Sequence, residues 1–481
     1  MSRISGRGIV ASVAFAGFIT QLDSSIVNVA LPTISRYFGI GPGRAAQVSI
    51  SYLLMATSTL LVLSKLADRV GLKKIFIAGY LVFVLGSLMC GLAPTITFLV
   101  ISRYVQGLGA AMLYTTSFAV IPKFLARELT GRAFGVLTSA AALGMMAGAP
   151  IGGLITTYFS WRWIFLVNLP VGLIAAVVAS RSLPHENSPG SGQEYGTFDV
   201  YGALLSSCGL VAFVYGLGKG HGVGWYSPAT LGCFGACFVL LCLFFVCETK
   251  HHAPILDLTL FNDRGFAYGC VASSMGLMLL GGTLFLMPFY LELEKGLKTE
   301  QVGLLLMIHS LVMVGLGPVA GKLSDRRDPR IICTFAMTLG AATCLEFFCT
   351  LELQSLFWVL LYLVSMSASL ALFISPSNNL AMGLAPKGKH AIAAGVYGTV
   401  TRLGLMLGVS FFEVIFSGFT RAGPSAGEKL SALTASPAAL VRGFRYAYLF
   451  GAFLCILTAC CCLLGRREMR KENALEPAAM G

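Results

Sequence analysis

Apolar residues run along this chain in blocks of about twenty, with the polar residues gathered in short segments between them. A helix needs about 20 apolar residues to cross a hydrocarbon core of about 30 Å. Such blocks fall at roughly 9–31, 45–63, 75–93, 96–120, 133–157, 161–180, 201–218, 229–247, 267–291, 301–320, 331–350, 355–377, 390–416 and 444–464, which predicts fourteen spans. Strands of an outer-membrane barrel would instead alternate apolar and polar over about ten residues. The first block is not read as a cleaved signal peptide. It carries Asp23, lacks a small-residue cleavage site and is too long.

A repeat organises the spans. The loop after span 2 reads Ser64-Lys-Leu-Ala-Asp68-Arg69-Val-Gly71-Leu-Lys73-Lys74, and the loop after span 10 reads Gly321-Lys-Leu-Ser-Asp325-Arg326-Arg327-Asp-Pro-Arg330. Their starts lie 257 residues apart. Six spans on each side then form two halves, 1–183 and 251–481, with a linker and an inserted helix pair in 184–250. Duplicated halves about a central site are a common transporter plan.

Composition agrees: of the 481 residues 56% are hydrophobic and only 11% charged, against roughly 25% charged in soluble domains. The formal charge of +13 has a topological explanation that needs no nucleic acid. With the N-terminus inside, 22 of the 34 Lys and Arg fall in inner segments and 10 in outer ones, leaving Arg103 and Arg402 in spans. Basic inner loops set orientation, so both termini are expected in the cytoplasm and the protein in the cytoplasmic (inner) membrane. The fourteen cysteines mostly lie in spans and include no C-x-x-C pair, so they read as small buried hydrophobes. A haem enzyme would need paired histidines in spans, and His309 is the only histidine away from a span edge. As a lone histidine it reads first as a packing residue. No phosphate-binding loop points to ATP, and the polar segments at 181–200 and 417–443 are too short for a soluble signalling domain.

Ionisable residues inside spans are costly and usually mark transport pathways or proton relays. Asp23 lies about fourteen residues into span 1, roughly 21 Å from the inner side. Arg103 lies about seven residues into span 4 from the other side, roughly 10 Å deep. The depths match in a core of about 30 Å, so the two meet if spans 1 and 4 face a common cavity. Asp23 is then the candidate proton carrier, or the group where proton and cationic substrate compete, and Arg103 the group that tunes its proton affinity. The alternative is a static ion pair that fixes helix packing. In span 5, Gly144, Gly148 and Gly152 recur every fourth residue beside Pro150 and Gly153, a spacing that lets helices approach closely.

Four ordered motifs carry a family resemblance. Besides the Asp68 loop, they are Gln21-Leu-Asp23-Ser-Ser25-Ile-Val-Asn28-Val-Ala-Leu-Pro32 in span 1, Arg103-Tyr-Val-Gln106-Gly107-Leu-Gly109 in span 4, and Trp161-Arg162-Trp163-Ile-Phe-Leu-Val-Asn168-Leu-Pro170-Val-Gly172 at the start of span 6. The chain resembles the major facilitator superfamily (MFS), and within it the fourteen-span drug:proton antiporters of EmrB/QacA type. It departs at Ser64, where a Gly is usual, at Leu72, where a basic residue is usual, and at Pro150, one position late in the span-5 antiporter motif. The resemblance implies an all-α fold of two six-helix bundles plus the inserted pair, and proton-coupled efflux of amphipathic or lipophilic compounds. An exporter of an endogenous metabolite, siderophore or amino acid is the alternative. It further implies that Asp68, Arg69, Gly71 and Lys73, with Asp325 and Arg326 as the repeat's copy, latch the halves together in the outward-facing state. Arg402, Glu413 and Glu346 are secondary candidates. No cofactor is implied, since the proton gradient supplies the energy. The expected partners are a small-molecule substrate, protons and the lipid bilayer, with a periplasmic adaptor protein as a further candidate and a monomeric core.

Overall fold

The structure, a computed structural model, describes residues 6–184, 200–223, 226–250, 260, 264–384, 390–420 and 436–464. Within them the chain folds into helices α1 (Gly6–Phe38), α2 (Pro42–Ser58), α3 (Leu60–Val70), α4 (Leu72–Gly91), α5 (Ile96–Phe124), α6 (Arg127–Tyr158), α7 (Trp163–Leu166), α8 (Asn168–Ser182), α9 (Val200–Val223), α10 (Pro228–Lys250), α11 (Arg264–Leu293), α12 (Thr299–Arg326), α13 (Pro329–Thr350), α14 (Leu356–Gly383), α15 (His390–Thr420) and α16 (Pro437–Leu464). Without water to satisfy them, backbone amides inside a bilayer must bond within their own helix, which is what long apolar blocks achieve.

Among the described residues, twelve helices are long and apolar enough to cross a membrane, against fourteen expected spans. Two of the expected spans fall short of this. The second expected span is interrupted at Thr59, whose backbone departs from ideal helical geometry (φ −93°, ψ −7°). That leaves two pieces of 17 and 11 residues. In α9 the described apolar stretch is only Leu204–Phe213.

Helices α1–α8 pack chiefly with one another, through the pairs α1–α6, α4–α5 and α2–α5. Helices α11–α16 do the same through α11–α15, α13–α16 and α12–α14. The α9–α10 pair sits beside the seam, with α9 against α2 and α15. Between the two groups the main contacts are α6–α12, α2–α15 and α1–α11.

Those cross-contacts gather at one end of the molecule, the end farther from the N-terminus. There a single core runs through both groups, uniting Val29, Ile34 and Ala45 with Leu280, Phe285 and Tyr290. At the end where α1 begins, the cores are separate. One holds Ile9, Leu63, Ile75, Ile121 and Leu183, and the other holds Leu260, Phe266, Leu380 and Val396. The molecule is therefore joined at the distal end and divided at the terminal end.

Candidate functional site

Asp23 is fully buried on α1, and Arg103 of α5 is 1% exposed. Arg103 Nη1 lies 2.7 Å from Asp23 Oδ2, so the two residues of matching depth are in contact. The surroundings differ from expectation. The pair lies inside the first helical group, away from the cavity between the groups, and it is buried and densely hydrogen-bonded. Gln106 Nε2 and Asn168 Nδ2 each donate to Asp23 Oδ1 at 2.8 Å. Gln106 Nε2 also reaches Ser87 Oγ at 2.8 Å. Arg103 donates from Nη1 to Gln106 Oε1 at 2.6 Å and from Nε to the Val48 carbonyl at 3.0 Å, and its guanidinium stacks 4.2 Å from the Tyr52 ring centroid. An ion pair withdrawn from water is tolerated only when its remaining hydrogen-bonding groups are met in this way.

Local sequence explains the assembly. Gln106 follows Arg103 by one helical turn, so both face α1. The backbone changes from α7 to α8 at Val167, and this places Asn168 at the start of α8 beneath Asp23. Gln106 and Asn168 stand within the motifs quoted above, yet sequence reasoning did not assign them to the site. Their signal was a polar side chain in an apolar block, one turn from a charge.

The opposite face of α1 borders the space between the groups. Gln21, Ser24, Ser25 and Asn28, with Met145 and Ala149 of α6 and Leu306, His309 and Ser310 of α12, line a cavity with about 470 Å³ of empty space. Helix α1 thus carries the charge cluster on one side and a cavity wall on the other.

The span-5 glycines form two faces. A β-carbon at position 148 would lie 2.6 Å from Ser25 Cβ and 2.9 Å from the Leu22 carbonyl, and one at 152 would lie 2.8 Å from Ile26 Cγ1. Gly144 likewise meets the Phe18 carbonyl. Gly153 faces the other way, where a β-carbon would lie 2.6 Å from the Thr299 carbonyl of α12. Pro150 lies between these faces within α6. One stripe therefore seats α1, and Gly153 seats the other helical group. The repeat reproduces the first stripe: Gly404 and Gly408 of α15 abut the Ser274 and Met278 carbonyls of α11.

The expected latch residues are spread over the terminal end. Gly71 joins α3 to α4 at φ 107°, a backbone region that favours glycine. Lys73 Nζ donates to the Leu183 carbonyl at 2.6 Å, which ties α4 to the end of α8 in its own group. Arg69 is exposed, and the Asp68 side chain lies outside the described residues. Asp325 accepts from Asn379 Nδ2 at 3.4 Å, also within its own group, and Arg326 is exposed at the end of α12.

The secondary candidates separate. Arg402 crosses the seam, its guanidinium 3.6 Å from the ring centroid of Tyr114 on α5. Glu413 is buried where α15 meets Gly43 of α2, and accepts from Ser417 Oγ at 2.6 Å. Glu346 is half-buried on α13 and accepts from Thr350 Oγ1 at 3.3 Å. Helix α13 packs against α14 and α16, away from the cavity. Sequence reasoning missed the distal closure altogether. Arg36 and the buried Glu292 pair at 2.5 Å across α1 and α11, the Thr33 and Thr299 hydroxyls lie 3.3 Å apart, and the Glu300 backbone N–H donates to Thr157 Oγ1 at 3.1 Å.

Two repeated helical groups around a central cavity, with a buried ion pair behind one wall, have the layout of a membrane transporter. Residues 13–409 match the Major Facilitator Superfamily. The chain belongs to that family, and it is a transporter rather than an enzyme. It is 30% identical to "Riboflavin transporter RibZ" of Clostridioides difficile (strain 630) over 401 residues, 83% of this chain and 86% of the relative. It is 31% identical over 348 residues to "Putative multidrug resistance protein MdtD" of Escherichia coli O127:H6, covering 72% and 73%. Among solved structures, the fold is similar to a bacterial homologue of the human lysosomal transporter Spinster in an inward-facing, unoccupied conformation, with TM-score 0.68, 13% identity and 97% and 98% coverage. It is also similar to a D-xylose-proton symporter, with TM-score 0.66, 14% identity and 96% and 98% coverage.

Proposed function

We propose that the chain is a proton-coupled exporter of amphipathic or lipophilic small molecules, of the fourteen-span EmrB/QacA type, with α2–α3 and α9 completing the spans. Residues 1–183 and 251–481 are its two moving halves, and 184–250 supplies the inserted pair. The observation that carries this reading is the position of α1, with the Asp23 cluster on one face and Gln21, Ser25 and Asn28 on the cavity face. Protonating Asp23 discharges a carboxylate that three donors hold, and it leaves Arg103 to Gln106, Val48 and Tyr52. The lost pairing loosens α1 from α5 and α8, and the motion reaches the cavity through α1 itself. Asp23 therefore acts as the proton carrier without touching cargo, and Arg103 sets when it loads.

The conformation supports a cycle. With termini in the cytoplasm, the joined end faces outward and the divided end inward. The Asp68–Lys73 and Asp325–Arg326 segments, at the divided end, latch the halves together in the outward-facing state. A second reading is kept by one relative, whose name gives riboflavin as its cargo: the protein moves an endogenous metabolite of similar size.

A susceptibility panel on cells carrying wild type, Asp23→Asn or no transporter tests the reading. Resistance to lipophilic cations, dyes or antibiotics that requires Asp23 supports it. Equal susceptibility of all three strains to every compound moves the assignment to the metabolite.

A further inference from the structure

His309 is the polar residue in the centre of the second half. It is 6% exposed on α12 and borders both the cavity between the halves and a neighbouring space of about 260 Å³ lined by Thr283, Met287 and Met366. Its Nδ1 lies 2.7 Å from Ser367 Oγ, and its Nε2 is buried with no hydrogen-bond partner among the described residues. A serine hydroxyl has one proton to give, and Ser367 gives it to the Leu363 carbonyl. Ser367 Oγ must therefore accept, so His309 carries its proton on Nδ1. That leaves Nε2 of the neutral ring as a buried acceptor on a residue that lines both spaces. A buried polar atom without a partner costs about 1–3 kcal/mol, so its persistence in a cavity wall calls for an occupant. The repeat adds an independent pointer. His309 stands 257 residues after Tyr52, the residue that covers Arg103 in the first half.

We propose that His309 Nε2 is a cargo-docking acceptor, which selects molecules bearing an N–H or O–H donor on an otherwise apolar body. The assignment rests on the transporter reading above, and Ser367 is its positioning residue because it fixes the tautomer. Two lipophilic cations separate donor recognition from charge and shape: ethidium carries two aromatic amino groups, and tetraphenylphosphonium carries no donor. In purified full-length protein, His309→Leu should weaken ethidium binding about tenfold, the loss of a buried hydrogen bond. It should leave tetraphenylphosphonium within about twofold, and His309→Gln, which keeps an acceptor, should restore ethidium to within about threefold. Ser367→Ala should weaken ethidium alone, without enlarging the side chain. Equal loss for both cations, or loss for neither, overturns the proposal. Nitrogen-15 spectra of histidine-labelled protein in lipid, with the resonance assigned by difference from His309→Gln, should show the Nδ1–H tautomer. The Nε2–H tautomer overturns the proposal whatever the dyes do. If wild type binds neither cation, the drug-efflux reading falls, and the tautomer alone decides the fate of this assignment.

Discussion

At the scale of residues, the cluster around Asp23 is built so that no member is spare. Asp23 receives Arg103 on one oxygen and both Gln106 and Asn168 on the other. Hydrogen bonds to a charged group contribute about 1.5–3 kcal/mol each. Gln106→Ala and Asn168→Ala should each destabilise the detergent-solubilised protein by about that amount, read as a lower midpoint of thermal unfolding against wild type. Arg103→Lys keeps the charge but loses the fork that joins Asp23, Gln106 and the Val48 carbonyl. It should fold and bind cargo while transporting uphill at least about tenfold more slowly, measured in proteoliposomes. Much of this was legible in the sequence: a carboxylate and a guanidinium in apolar blocks lie at matching depth, so they meet once their two helices pack together. The two amides were not assigned, because a neutral polar side chain in a span has several ordinary explanations and only its neighbours distinguish them. Nor did the sequence say which side of α1 faces the cavity, since that depends on helix rotation.

At the scale of elements, close helix approach is set by small residues. Gly148 and Gly152 receive α1, and Gly404 and Gly408 receive α11 in the repeat. Gly148→Leu and Gly408→Leu should each abolish a monodisperse peak in size-exclusion chromatography, because the side chain meets backbone that cannot yield. Gly131, at which an added β-carbon meets open space, is the control. Its change to alanine should keep the peak and stabilise α6 by up to about 1 kcal/mol. The spacing of Gly148 and Gly152 predicted their packing, and the second stripe extends a repeat first visible in the loops. The span count was less legible. Hydropathy registers an apolar block but not a local change of backbone geometry such as that at Thr59, so the break between α2 and α3 was not foreseen.

At the scale of the whole molecule, the distal end is closed by Arg36–Glu292, by Thr33 beside Thr299, and by Gly153 against α12. Alternating access requires this end to open in each cycle. Cysteines placed at 33 and 299 in a background lacking native cysteines should cross-link readily with a short bifunctional thiol reagent. Transport should stop on cross-linking and return on reduction. Unchanged transport in the cross-linked protein would show that the distal end need not part. This closure escaped sequence reasoning because it is made between halves, by residues that look like ordinary loop-proximal polar groups until the two halves meet.

The most direct test of the central claim, that Asp23 couples proton flow to cargo movement, is transport by Asp23→Asn protein in proteoliposomes under an imposed proton gradient. The account predicts that this variant equilibrates substrate down its own gradient but does not accumulate it against one, whatever the size of the proton gradient. Uphill accumulation at the wild-type rate would contradict it and leave the buried pair a packing device.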